Sequence, residues 1–171
     1  MRSRSRRMPA LAVAVYIAVV GVLSGCSQSS SGSRHSLYES IDELAADSSS
    51  IVIGTVMAQS MQDGATVSSV EVTNAPANPQ LGANLAEDVD PAPVGATVEV
   101  RQDAPPFLEA QEQYLLFLTP TGLSGSQATQ FFITGSVAGL YVLVGQEFRR
   151  VVGDSGDTLP DTIATTGDES G

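Results

Sequence analysis

At 171 residues the chain carries eight arginines, no lysine, 19 acidic residues, one histidine, one cysteine and no tryptophan, with a formal net charge of −11. The lack of lysine excludes a P-loop lysine, a Schiff-base lysine and a Ser-Lys dyad, and a single cysteine excludes an intrachain disulfide and a multi-cysteine zinc site. The length suits one domain, and neither a cofactor nor a metal is expected.

Residues 1–7 hold four arginines, and residues 10–23 form an apolar run broken only by Gly21. That run is shorter than the roughly 20 residues that span a hydrocarbon core, so 1–25 is predicted to be a signal peptide. It closes on Leu23-Ser24-Gly25-Cys26, which resembles the bacterial lipobox. The resemblance implies cleavage between Gly25 and Cys26, a diacylglyceryl group on the Cys26 thiol, and Cys26 as the new N-terminus. The competing reading is an ordinary secreted protein with an inert cysteine, but a lone exposed thiol is a liability in an oxidising compartment. Two acyl chains anchor stably where one is marginal.

Cleavage removes four arginines and leaves Arg34, Arg101, Arg149 and Arg150 against all 19 acids, a formal charge of −15. Such a surface repels nucleic acid and anionic lipid alike. The expected location is the extracytoplasmic face of the cell membrane, held there by the lipid on Cys26. Residues 26–36 contain no large apolar side chain and are read as a Ser-rich tether.

Ser36-Leu37-Tyr38-Glu39 has capping-box spacing, and Leu37, Ile41, Leu44 and Ala45 share one helical face, which predicts a short helix over 37–46. Residues 51–57, Ile-Val-Ile-Gly-Thr-Val-Met, are apolar on both parities: a strand buried on both faces or bent at Gly54. Asp63-Gly64 predicts a hairpin into a second strand over 66–73, with Val70 and Val72 inward. Residues 74–95 read as a long acidic, proline-rich loop. Further strands are predicted at 97–101, 114–118, 131–134, 140–144 and 147–152, the last two joined by a type II′ turn at Gly145-Gln146. Residues 153–171 are acidic and rich in Gly, Ser and Thr, and read as a flexible tail, so the folded domain is 37–152.

Several short strands behind one helix suggest a small barrel or sandwich. The series Ile51-Val52-Ile53-Gly54-Thr55-Val56 and Tyr114-Leu115-Leu116-Phe117-Leu118, after a helix ending at Asp47, resembles the netrin-module and tissue-inhibitor-of-metalloproteinase barrels. That resemblance implies an all-β, OB-like antiparallel barrel of five to seven strands. Its expected core is Ile51, Ile53, Val56, Val70, Val72, Val98, Val100, Leu115, Phe117, Leu140 and Val142. The inhibitory role of those families does not carry over, because it needs a free, disulfide-held N-terminal cysteine and Cys26 is expected to be lipidated.

Candidate chemistry is thin. Gly153-Asp154-Ser155-Gly156 copies a serine-protease tetrapeptide, but the only histidine, His35, lies in the tether. Neither Glu87, Asp88 and Asp90 nor Asp154, Asp157 and Asp161 has the spacing of a calcium loop. Tyr114, Phe117, Phe131, Phe132, Tyr141 and Phe148 are read first as core and second as a stacking platform for sugars or peptides. Arg149-Arg150 is expected to meet surface acids. The reading is therefore a non-catalytic binding or interaction module of the cell envelope, with an unidentified envelope protein or glycan as partner. The alternative is an envelope hydrolase using paired carboxylates, with Glu99, Glu109 and Glu112 as candidates.

Overall fold

The computed structural model describes residues 37–76 and 92–165. The predicted signal peptide, Gly25, Cys26, the predicted tether with His35, most of the predicted 74–95 loop and residues 166–171 lie outside the described residues. Five strands close into a barrel: β1 (Ser50–Gln62), β2 (Ala65–Asn74), β3 (Thr97–Gln102), β4 (Gln113–Pro120) and β5 (Gln130–Ile133). Around it the pairing runs β1-β2-β3-β5-β4 and back to β1, all antiparallel except β3 with β5. The fold is the expected OB-like one, with one α-helix among the described residues, α1 (Ile41–Ala46).

The β1–β2 hairpin turns at Asp63-Gly64, both at positive φ (50° and 83°), as a type I′ turn requires. At the other end β1 changes register against β2 between Ile53 and Gly54. Gly54 is required there: a Cβ would meet the Glu71 carbonyl oxygen at 2.6 Å and Val70 Cγ1 at 2.5 Å. The register shifts at this glycine, and the strand is buried on both faces from Ser50 to Val56.

Two cores result. Val52, Val56, Val70, Val72, Val98, Val100, Leu116 and Leu118 fill the barrel. The opposite parity of the same strands, Ile51, Leu115 and Phe117, points outward and packs with Leu44 and Ala45 of α1. The expected core therefore divides: Ile51, Ile53, Leu115 and Phe117 do not enter the barrel but cover its outer wall. Period-two alternation forces this, because neighbours on a strand face opposite sides.

Beyond β4 the sheet branches. Leu118, Thr119 and Pro120 pair with β5, while Tyr114, Leu115 and Leu116 pair with β6 (Leu140–Val144). The sheet then continues through β7 (Glu147–Arg150) to β8 (Thr162–Ala164). Gly145 at φ 67° turns β6 into β7 as expected. Leu140 belongs to the barrel core and Val142 packs against it, whereas Tyr141 belongs to the outer one.

Two expectations change. Residues 153–165 are not a loose tail: Leu159 is buried, the Thr158 N–H donates to the Tyr38 carbonyl at 2.9 Å, and Ile163 pairs with Phe148 on β8. The few apolar residues of this segment anchor it, and they cover an edge that β7 would otherwise leave open. The helix starts at Ile41, not Leu37, with Ser40 as its cap. Tyr38 is held in the extended pairing with 157–158 instead, its N–H donating to Asp157 Oδ1 at 2.8 Å.

The β3–β4 connection contributes Leu108, almost fully buried, to the barrel core. The Leu108 N–H donates to Gln102 Oε1 at 2.9 Å and its carbonyl accepts from Gln59 Nε2 at 2.6 Å. Among the described residues no helix is long and apolar enough to cross a membrane.

Candidate functional site: an apolar groove on the barrel wall

The outer faces of β1 and β4 meet through two cross-strand pairs, Ile51 with Phe117 and Ile53 with Leu115. These four side chains form the floor of a groove. Ile41 and Ala45, one helical turn apart on α1, make one wall; Phe148 of β7 and Ile163 and Ala164 of β8 make the other. Pro76, Asp42 and Thr165 complete the lining, around a cavity of about 230 Å³. Among the described residues Asp42 is its only charged lining residue, and the Thr165 hydroxyl is engaged with the Gln146 carbonyl at 2.8 Å. Among the described residues no nucleophile or proton-transfer pair lines it, and the lining they supply is apolar surface.

Polar bonds fix the helix that forms the wall. Ser40 Oγ accepts from the Glu43 N–H at 3.2 Å, and Glu43 Oε2 accepts from the Glu39 N–H at 2.9 Å. At the other end Ser48 Oγ donates to the Leu44 carbonyl at 2.7 Å and bonds Thr134 Oγ1 at 3.0 Å, while Tyr38 OH donates to Asp47 Oδ2 at 3.1 Å. The wall is thus tied to the β5–β6 turn.

Beneath the opposite wall Tyr141 is fully buried and its OH donates to the Pro160 carbonyl at 3.2 Å. Burial pushes its pKa up to about 12, against the pull of Arg150, with Asp157 and Asp161 adding to the rise. Tyr114, on the barrel side, is also raised, chiefly by burial and against the hydrogen bond from the Glu109 N–H. Arg150 itself is buried, a departure from the expected surface pair; only Arg149 is exposed. Arg150 Nη2 donates to the Gly153 carbonyl at 2.5 Å and reaches Asp161 at 3.4 Å, while Nε and Nη1 have no partner among the described residues.

The other sequence candidates fall elsewhere. Ser155 Oγ donates to Asp157 Oδ2 at 2.5 Å, and the same carboxylate holds the Tyr38 N–H, so the protease-like tetrapeptide sits in the loop that pins the N-terminal segment. Asp161 pairs with Arg150, and among the described residues no group of three metal-binding side chains comes together. Glu87, Asp88 and Asp90 lie outside the described residues. Glu99 lies on β3 and accepts from Gln130 at 3.2 Å, whereas Glu109 and Glu112 are exposed in the β3–β4 connection.

The aromatic residues do not form one platform. Tyr114 is in the barrel, Phe117, Tyr141 and Phe148 are in the outer core, and Phe131 and Phe132 are both half-buried. Phe117 and Tyr141 stack obliquely, centroids 6.3 Å apart. Sequence reasoning missed the groove; its signal was the double-sided apolarity of β1 and β4, which demands a second layer and supplies its floor. No family model matches the chain, and no curated protein is significantly similar to it.

Proposed function

We propose that this protein is a lipoprotein anchored to the outward face of the cell membrane through Cys26, where it acts as a non-catalytic binding module. The groove between α1 and the barrel wall is its binding site. The observation that carries the reading is the groove's lining, which among the described residues is apolar on its floor and both walls, with Asp42 and Thr165 as its polar members. An open apolar cleft framed by rigid strands is what a recognition site needs, and among the described residues its lining holds no pair of groups suited to acid–base or nucleophilic catalysis. The anchor rests on the arginine-rich leader, the apolar run and the lipobox-like Leu23-Ser24-Gly25-Cys26. The likeness to netrin-module barrels supports the architecture and brings no inhibitory role with it.

The test pairs two measurements on the full chain. Metabolic labelling with a palmitate analogue should mark the wild type and not Cys26→Ala, and the variant should leave the membrane fraction. An unlabelled wild type overturns the anchor. In a hydrolase screen against envelope glycans and esters, turnover abolished by Glu99→Gln, Glu109→Gln or Glu112→Gln would replace the binding module with an enzyme.

A further inference from the structure

We infer that the groove takes one acyl chain of an uncharged or zwitterionic membrane lipid, an assignment that rests on the anchored-lipoprotein reading. The floor is hydrocarbon, with Ile51, Leu115 and Phe117 buried and Ile53 half-buried, and a peptide laid against it would lose hydration of its backbone amides with nothing on these side chains to replace it. A methylene chain loses nothing of the kind. At about 230 Å³ the cavity exceeds the engineered apolar cavity of about 150 Å³ that accepts benzene, so it has room for several methylenes.

Charge and reach narrow the occupant further. Asp42 stands at the edge of the groove on a chain whose expected mature charge is −15, so a free fatty carboxylate or an anionic headgroup is repelled where a neutral head is not. The described chain begins at Leu37, four residues before the helix that forms one wall. Cys26 lies 11 residues before Leu37, which bounds their separation at about 40 Å even for a fully extended chain. The wall lies four residues from Leu37, so an anchor at Cys26 keeps the groove within reach of bilayer lipid.

The full chain, produced in a bacterial host and purified in detergent, is reconstituted into phosphatidylcholine vesicles containing phosphatidylcholine with a diazirine in one acyl chain. After irradiation, mass spectrometry should place the label on the peptides holding Ile41, Ala45 and Ile163. Ala45→Phe, which fills the groove, and Ile163→Asp, which puts a charge at its half-buried edge, should each lower that label at least tenfold, with folding checked by thermal unfolding. Equal labelling in either folded variant overturns the inference, as does label spread over the barrel surface. Label that appears only in Cys26→Ala would mean that the protein's own lipid fills the groove, and label that follows phosphatidylglycerol equally well removes the charge argument; either result overturns the assignment.

Flotation of the same vesicles reports the anchor separately. A wild type that floats unlabelled defeats the groove assignment alone. A protein labelled in phosphatidylcholine-doped micelles yet never acylated defeats the anchor alone.

Discussion

The barrel interior and the layer under α1 share strands but are built from different materials. Inside, six of the buried residues are valines, and each strand satisfies its backbone by closure. Outside, Tyr38, Leu44, Phe117, Tyr141, Phe148 and Leu159 come from the helix, three strands and two coil segments. Coil cannot satisfy its own backbone, so that layer needs specific latches: Tyr38 with Asp157 and Thr158, Tyr141 with Pro160, Arg150 with Gly153. Closure gives cohesion to small β-branched side chains, whereas an open layer depends on large side chains and on individual polar bonds.

The sharpest way to break this comparison uses two neighbours. Phe117→Ala should cost about 3–5 kcal/mol and Leu116→Ala about 2–5 kcal/mol, both being nearly inaccessible to solvent. Their hydrogen-exchange footprints should differ. Phe117→Ala should speed exchange in α1 and β7–β8, and Leu116→Ala in β2 and β3. Identical footprints would mean that the two layers are one cooperative unit.

The barrel was legible because its signals are local. Asp63-Gly64 and Gly145-Gln146 give turn geometry, and Val70, Val72, Val98 and Val100 alternate plainly. The outer layer was not legible because its partners are far apart in sequence. Nothing near Tyr38 reveals that Asp157 will hold its amide 119 residues away. Of two consecutive S-x-x-E frames the first, Ser36 to Glu39, reads as the cap, and the structure uses the second, Ser40 to Glu43. Leu159 and Ile163 looked too few to order a tail; they suffice because β7 offers an edge and the outer core a hole. The groove was invisible for the same reason: its floor can be read from β1 and β4, but its walls cannot.

Alkaline pH should separate the layers next. Tyr141 has its folded pKa raised to about 12 from an ordinary value near 10, so the folded state keeps a proton that the unfolded state has lost. Stability is then fully present below pH about 10 and falls as pH rises toward 12, by on the order of 2–3 kcal/mol. Tyr114, also raised, should add to the loss. Urea midpoints across this range should fall steeply in the wild type and less in Tyr141→Phe. That variant should start lower, having lost the bond to Pro160. An equal fall in both proteins would remove Tyr141 as a source of the dependence.

The smallest effect tests the latch principle most narrowly. α1 has six residues, too few to stand alone in water, so it persists through burial of Leu44 and Ala45 and through its end bonds. Ser40→Ala removes the acceptor for the Glu43 N–H and should cost about 1 kcal/mol, a fall in Tm of roughly 2–6 °C. The bond from the Glu39 N–H to Glu43 Oε2 survives and should keep the helix from unravelling altogether. Exchange should quicken at Glu43, Leu44 and Ala45 while the amides of β2 and β3 stay as slow as in the wild type. If β2 and β3 quicken equally, the helix is not a separately latched wall, and the barrel depends on it for its own closure.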